Sequence, residues 1–177
     1  MAIDKEKGFI KIYGTGFSDS VSHDRDGYVM ACGFRPFIKV VDQGSETYAT
    51  FNIWGEMLCY SVPSMDDSDL EKIIIFNNKD KVSYDLKNYS ETNKYDYVDL
   101  YYKDICKFST PLFSSYDTSK SDVNRVMNII KTKDSKIKVR DNGNITYYTI
   151  NLDSQARKHM LNSLRLYKKY LDLYKVK

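Results

Sequence analysis

The spacing of apolar residues changes once along this chain, and that change sets what it can fold into. Through the first two thirds, apolar residues alternate with polar ones or form short runs, as strands do; from about residue 120 onward, helical spacing enters. The clearest strand is Thr47–Trp54, with Ala49, Phe51 and Ile53 on one face and Tyr48, Thr50, Asn52 and Trp54 on the other. Shorter candidates are Gly8–Tyr13, Tyr28–Phe34, Phe37–Val41, Met57–Val62, Ile73–Phe76, Lys81–Leu86 and Tyr95–Tyr102, the last running on toward Phe108. Arg35-Pro36 predicts a strand break or an edge, because Pro36 has no N–H to give a ladder. Asp42–Ser45 and Asn77–Asp80 read as turns, Ser18–Gly27 and Asn88–Lys94 as polar loops, and Pro63–Asp69 as a turn or single helical turn.

Ser109–Ser121, rich in Ser and Thr, is the predicted joint. Beyond it, Ser121 or Asp122 caps a short helix to about Lys131, with Val123, Met127 and Ile130 on one face. Lys136–Arg140 and Ile145–Leu152 form a hairpin around Asp141-Asn142-Gly143-Asn144, since Asn-Gly accepts the positive φ of a type I′ turn. Asp153 or Ser154 then caps a long helix to about Tyr174, with the stripe Ala156, Met160, Leu164, Tyr167, Leu171 and Tyr174. The expected fold class is α+β: an antiparallel β-sandwich or open barrel of six to eight strands, closed by helix, hairpin and long C-terminal helix. At 177 residues, one domain over 1–177 is expected, divisible into an acidic β-rich part, 1–117, and a basic helix-hairpin-helix part, 118–177.

The charges follow the same division. Residues 1–117 hold 13 Lys/Arg and 19 Asp/Glu, and residues 118–177 hold 14 and 5, so the net +3 conceals an acidic part and a basic part. The basic part predicts a contact for polyanions, using Arg157, Lys158, Arg165, Lys168 and Lys169 of the last helix and Lys138 and Arg140 of the hairpin. The same charges also suit docking on the acidic part of this chain or of a neighbour.

Tyrosine is abundant, 16 residues against 8 Phe and 1 Trp, and its apolar body with a polar tip favours half-buried surfaces and interfaces. Tyr48, Trp54, Tyr97 and Tyr101 are the candidates for an interaction surface. Cys32, Cys59 and Cys106 lie far apart with no CxxC spacing, which predicts buried free thiols in a reducing compartment, such as the cytoplasm, rather than a zinc site. A Cys32–Cys59 disulfide is the alternative for an exported protein. The charged start, Ile3-Asp4-Lys5-Glu6-Lys7, predicts no signal peptide, and no stretch reaches the roughly 18 apolar residues of a membrane span. The Lys-, Asp-, Asn-, Ile- and Tyr-rich mix is common in products of AT-rich genomes, viruses and phages among them, and a virion location fits it.

Motifs for chemistry are weak. Asp24-Arg25-Asp26-Gly27 begins like a calcium loop, but Tyr28 and Arg35 stand where further oxygen ligands are needed. Asp66, Asp67 and Asp69 read as the cap of a helical turn. His23 and His159 have no nucleophile partner in sequence, and Gly14-Thr15-Gly16 lacks the Lys-Ser/Thr of a phosphate loop. No cofactor is expected. The leading expectation is a non-enzymatic interaction or assembly protein that binds a protein partner or itself, as a viral component or a host-factor binder would. One alternative is nucleic-acid binding through the basic third. The other is a metal-dependent hydrolase built on Asp24, Asp26, Asp66 and Asp67.

Overall fold

A computed structural model of the protein describes residues 2–6, 9–13, 18–21, 30–42, 44, 47–60, 70–85, 103–141 and 147–173. In chain order its elements are β1 (Ala2–Glu6), β2 (Phe9–Tyr13), β3 (Ser18–Val21), β4 (Met30–Asp42), β5 (Thr47–Tyr60), β6 (Leu70–Phe76), β7 (Lys81–Asp85), β8 (Lys103–Ser114), α1 (Lys120–Ile130), β9 (Lys136–Asp141), β10 (Tyr147–Asn151) and α2 (Ser154–Leu173). The fold class is α+β, with two antiparallel sheets and a C-terminal helix. Among the described residues the large sheet runs β1-β2-β4-β5-β8 with β3 also on β4, and the small sheet runs β10-β9-β6-β7.

The long hairpin β4–β5 is the spine of the large sheet. Its turn follows from chemistry that the sequence already carries. Asp42 Oδ1 accepts from the Gly44 N–H at 3.0 Å, and Gly44 takes φ 81°, which a side chain would resist. Pro36, expected at a break or an edge, lies inside the continuous β4 opposite Ile53, and the two strands expected at Thr47–Trp54 and Met57–Val62 are one strand, β5, with Gly55 inside it opposite Phe34. β2 pairs with Phe37–Val41 and β3 with Ala31–Phe34, so Arg35 and Pro36 fall between the two. Among the described residues no strand on that side asks for the N–H that Pro36 lacks. Ser18–Val21, expected as loop, is the strand that takes over there. The predicted joint is also shifted: Ser109–Ser114 belongs to β8, and Pro111 sits at a register shift against β5, where a missing N–H is tolerated.

Both helices start where short polar side chains satisfy orphan N–H groups. Ser119, not Ser121 or Asp122, is the N-cap of α1. Its hydroxyl accepts from the Asp122 N–H at 3.2 Å, and the Asp122 carboxylate accepts from the Ser119 N–H at 3.0 Å. Asp153 caps α2, accepting from the Ala156 N–H at 2.7 Å. α2 packs on β4 and β5, α1 packs on β6, and the helices pack on each other. The expected stripes are inside: Val123, Met127 and Ile130 of α1, and Ala156, Met160, Leu164, Tyr167 and Leu171 of α2, are all buried.

One core cluster takes residues from both sheets and both helices, including Phe51, Ile53, Ile73, Ile75, Ile129, Ile137 and Tyr167. Each such side chain contributes roughly 1.5–3 kcal/mol by leaving water. The Tyr167 ring lies 5.8 Å from Phe51 and 6.0 Å from Phe113, and Tyr84 of β7 meets Phe113 edge-on at 5.7 Å. These aromatic contacts join the small sheet's edge to the end of β8.

Candidate functional site

The basic residues of the C-terminal third divide by what they touch. Arg157 is half-buried. Its Nη1 donates to the Leu152 carbonyl at 2.6 Å and the Lys133 carbonyl at 3.4 Å, which ties the start of α2 to the turn before β9. Lys168 donates to Asn124 Oδ1 of α1 at 2.8 Å. Lys138 lies 5.3 Å from the Phe76 ring centroid, a cation–π distance. These three are engaged in the fold. Lys158, Arg165 and Lys169 are exposed and recur at helical spacing along one strip of α2; Arg165 also donates to Asn162 at 2.9 Å. Lys120 forms an ion pair with Asp172, which sets an acid near the end of that strip. Arg140 lies on β9 opposite Tyr147 and Lys72, and nothing is described of its side chain.

Of the expected aromatic surface, Tyr48 and Trp54 are half-buried, on the opposite face of β5 from the core residues Ala49, Phe51 and Ile53. The Tyr48 ring meets Tyr116 at 4.8 Å. Tyr97 and Tyr101 lie outside the described residues, as do Asp24, Asp26, Asp66, Asp67, Asp69, His23, Gly14-Thr15-Gly16 and the Asn142-Gly143 turn. Among the described residues no group of three His, Cys, Asp or Glu could hold a metal ion, and no helix is long and apolar enough to cross a membrane. The β4–β5 register sets Cys32 opposite Met57 and Cys59 opposite Met30, so the two cysteines are not directly paired across the ladder.

The structure assembles a site that the sequence does not announce. An open cleft of about 800 Å³ lies between β7, the end of β8, the turn after it and the first turns of α1. Val82, Tyr84, Leu112 and Phe113 give it an apolar lining. Tyr116 stands beside it, 46% exposed. Its charged lining is Lys81, Asp85, Asp117, Asp122 and Arg125.

Several of these groups are fixed. Arg125 grips Asp80 with two bonds, Nε to Oδ2 at 2.9 Å and Nη2 to Oδ1 at 2.7 Å, and Nη2 also donates to the Lys81 carbonyl at 3.1 Å. That guanidinium holds the Asp80 carboxyl down at about 2, with the Lys81 N–H, donating at 2.8 Å, adding to the effect. The Ser119 hydroxyl and N–H lower Asp122. Burial pushes the Tyr84 hydroxyl above its ordinary range; the Asp122 charge pushes the same way, and Arg125 opposes it. Tyr84 is therefore neutral across the physiological range, and so is an apolar wall with a hydrogen-bonding tip.

Both walls of the cleft are strand edges. β7 is the last strand of the small sheet and β8 the last of the large one, among the described residues. The backbone of Ser114 on β8 is occupied: its N–H donates to Thr118 Oγ1 at 3.0 Å, and its carbonyl accepts from the Thr118 N–H at 2.9 Å. No single segment of sequence carries this constellation, because it joins residues 81–85 to residues 111–125 through the tertiary fold. No family model matches the chain, and no curated protein or solved structure matches it.

Proposed function

We propose that this protein acts by binding another protein, as an interaction or assembly component, and that the cleft between β7 and the end of β8 is its contact. The observation that carries the reading is the composition of that cleft. It is open, lined by aliphatic and aromatic side chains and bordered by the exposed Tyr116, with charged groups around them. An apolar centre rich in aromatic residues, surrounded by a polar rim, is the anatomy of protein contacts. The half-buried Tyr48 and Trp54 on the adjoining sheet face support the same reading.

A polyanion contact on α2 is the competing reading. Its support is the exposed strip Lys158, Arg165 and Lys169. Arg157, Lys168 and Lys138 are drawn away from that role by their internal partners.

The test is elution from a heparin or single-stranded DNA column across a salt gradient, with light scattering on the same sample. The expected result is flow-through at physiological salt as a defined species. Steep salt-dependent retention, lost when Lys158, Arg165 and Lys169 become Glu, would overturn the reading in favour of nucleic acid.

A further inference from the structure

The cleft's two walls are not equivalent, and the difference says what kind of segment fits. In an antiparallel ladder, alternate residues turn both their N–H and their C=O away from the neighbouring strand. On β7 the outward residues are identified by Lys81. It lies opposite Phe76 of β6, yet its carbonyl accepts from Arg125 and its N–H donates to Asp80. By alternation Ser83 turns its N–H and C=O outward too, and Ser83 is exposed and lines the cleft. Arg125 and Asp80 thus close one end of the β7 edge, while the Ser114–Thr118 bonds close the facing end of β8. Among the described residues no strand pairs with β7 on that side, and Ser83 turns a donor and an acceptor to it, the pair that an added antiparallel strand engages.

The charges select among extended segments. Asp117 and Asp122 line the cleft against Lys81, and Arg125 is already neutralised by Asp80. The lining is therefore acidic on balance. Tyr116 borders it with a ring suited to a cationic side chain. Lys81 and Asp85 on the edge discourage indiscriminate pairing with apolar strands.

We propose that the cleft is a strand-addition site for an extended Lys- or Arg-bearing segment of a partner protein. Such a segment pairs with β7 at Ser83, lays its apolar side chains over Val82 and Leu112, and carries its cation to Tyr116 and Asp117. This rests on the protein-binding reading and names the partner's chemistry.

The probe is a short capped peptide of alternating Lys and Val, labelled for fluorescence anisotropy, used with the full chain. Binding is expected, with affinity falling about tenfold or more when alternate peptide nitrogens are methylated, since that removes the ladder bonds. The same peptide with Glu for Lys is expected to bind more weakly, and Asp117→Lys in the protein to weaken the Lys peptide. Ser83→Pro is expected to abolish binding; the methylated peptide makes the same test from the ligand side should that variant not fold. Equal affinity of the methylated and parent peptides, equal affinity of the Lys and Glu peptides, or no binding at all overturns the proposal. A dimer that dissociates on Ser83→Pro also overturns it, because the occupant is then a second copy. Failure of the peptide with column flow-through intact sinks this inference alone, whereas steep salt-dependent retention sinks the reading beneath it.

Discussion

Neighbouring basic residues on α2 meet different ends. Arg157 donates to two backbone carbonyls, and its removal leaves the Leu152 carbonyl without that donor. Arg157→Ala is therefore expected to lower stability by about 1–3 kcal/mol in urea unfolding. Lys158 is exposed, and Lys158→Ala is expected to stay within about 0.5 kcal/mol. Equal effects would mean that the Arg157 contacts do not hold in solution. A pH dependence belongs to the carboxylates. Asp80 is lowered to about 2 by Arg125, and Asp122 and Asp134 are lowered by their donors, Ser119 and the Asn78 N–H respectively. A carboxyl that binds its proton more weakly folded than unfolded stabilises fully above the unfolded value near 4, and loses that contribution as pH falls through the folded one. Thermal midpoints are thus expected to fall between about pH 4 and pH 2, and Asp80→Asn is expected to flatten the fall. An unchanged slope in that variant would remove Asp80 from the account.

Elements end where local chemistry ends them. The Ser119–Asp122 capping box stops the unpaired N–H groups of α1 from remaining orphaned, and Ser119→Ala is expected to cost about 1 kcal/mol. Gly44→Ala, at φ 81° in the β4–β5 turn, is expected to cost about 1 kcal/mol through backbone strain, even though nothing lies where the new methyl would go. Differential scanning calorimetry on both variants checks this, and an unchanged Gly44→Ala midpoint would show that the turn relaxes. Strand faces were legible from sequence because alternation is a property of the chain alone. Strand ends were less so. Pro36 looks like a break or an edge until β4 is seen to run through it, with β2 and β3, among the described residues, pairing to either side of it, and Ser18–Val21 looks like loop until β4 is seen beside it.

At the level of the molecule, the halves that charge separates are joined by packing. β6 and β7 come from the acidic part, and β9 and β10, which complete their sheet, come from the basic part. Arg125 of the basic part grips Asp80 of the acidic part. Tyr167 reaches Phe51 and Phe113 from across the division. The full chain is accordingly expected to unfold in one cooperative step. A fragment of residues 1–117 is expected to show none, because an isolated β6–β7 hairpin is marginal in water and the helical half of the core is gone. Tyr167→Ala, at a wholly buried position, is expected to cost about 3–5 kcal/mol. A cooperative transition in the fragment, followed by circular dichroism, would show instead that the parts are separable.

The sequence by itself determined the class of fold, the core face of β5, the apolar stripes of α1 and α2 and the turn at Gly44. Each depends on residues a few positions apart, where the period of strand or helix and the stereochemistry of glycine act directly. The tertiary structure alone decided which cations are engaged internally, why Pro36 is tolerated, and that Ser83, Tyr84, Phe113, Tyr116 and Asp117 share a cleft. Those outcomes depend on which strand lies beside which, and burial of a common core, rather than any local pattern, sets that arrangement.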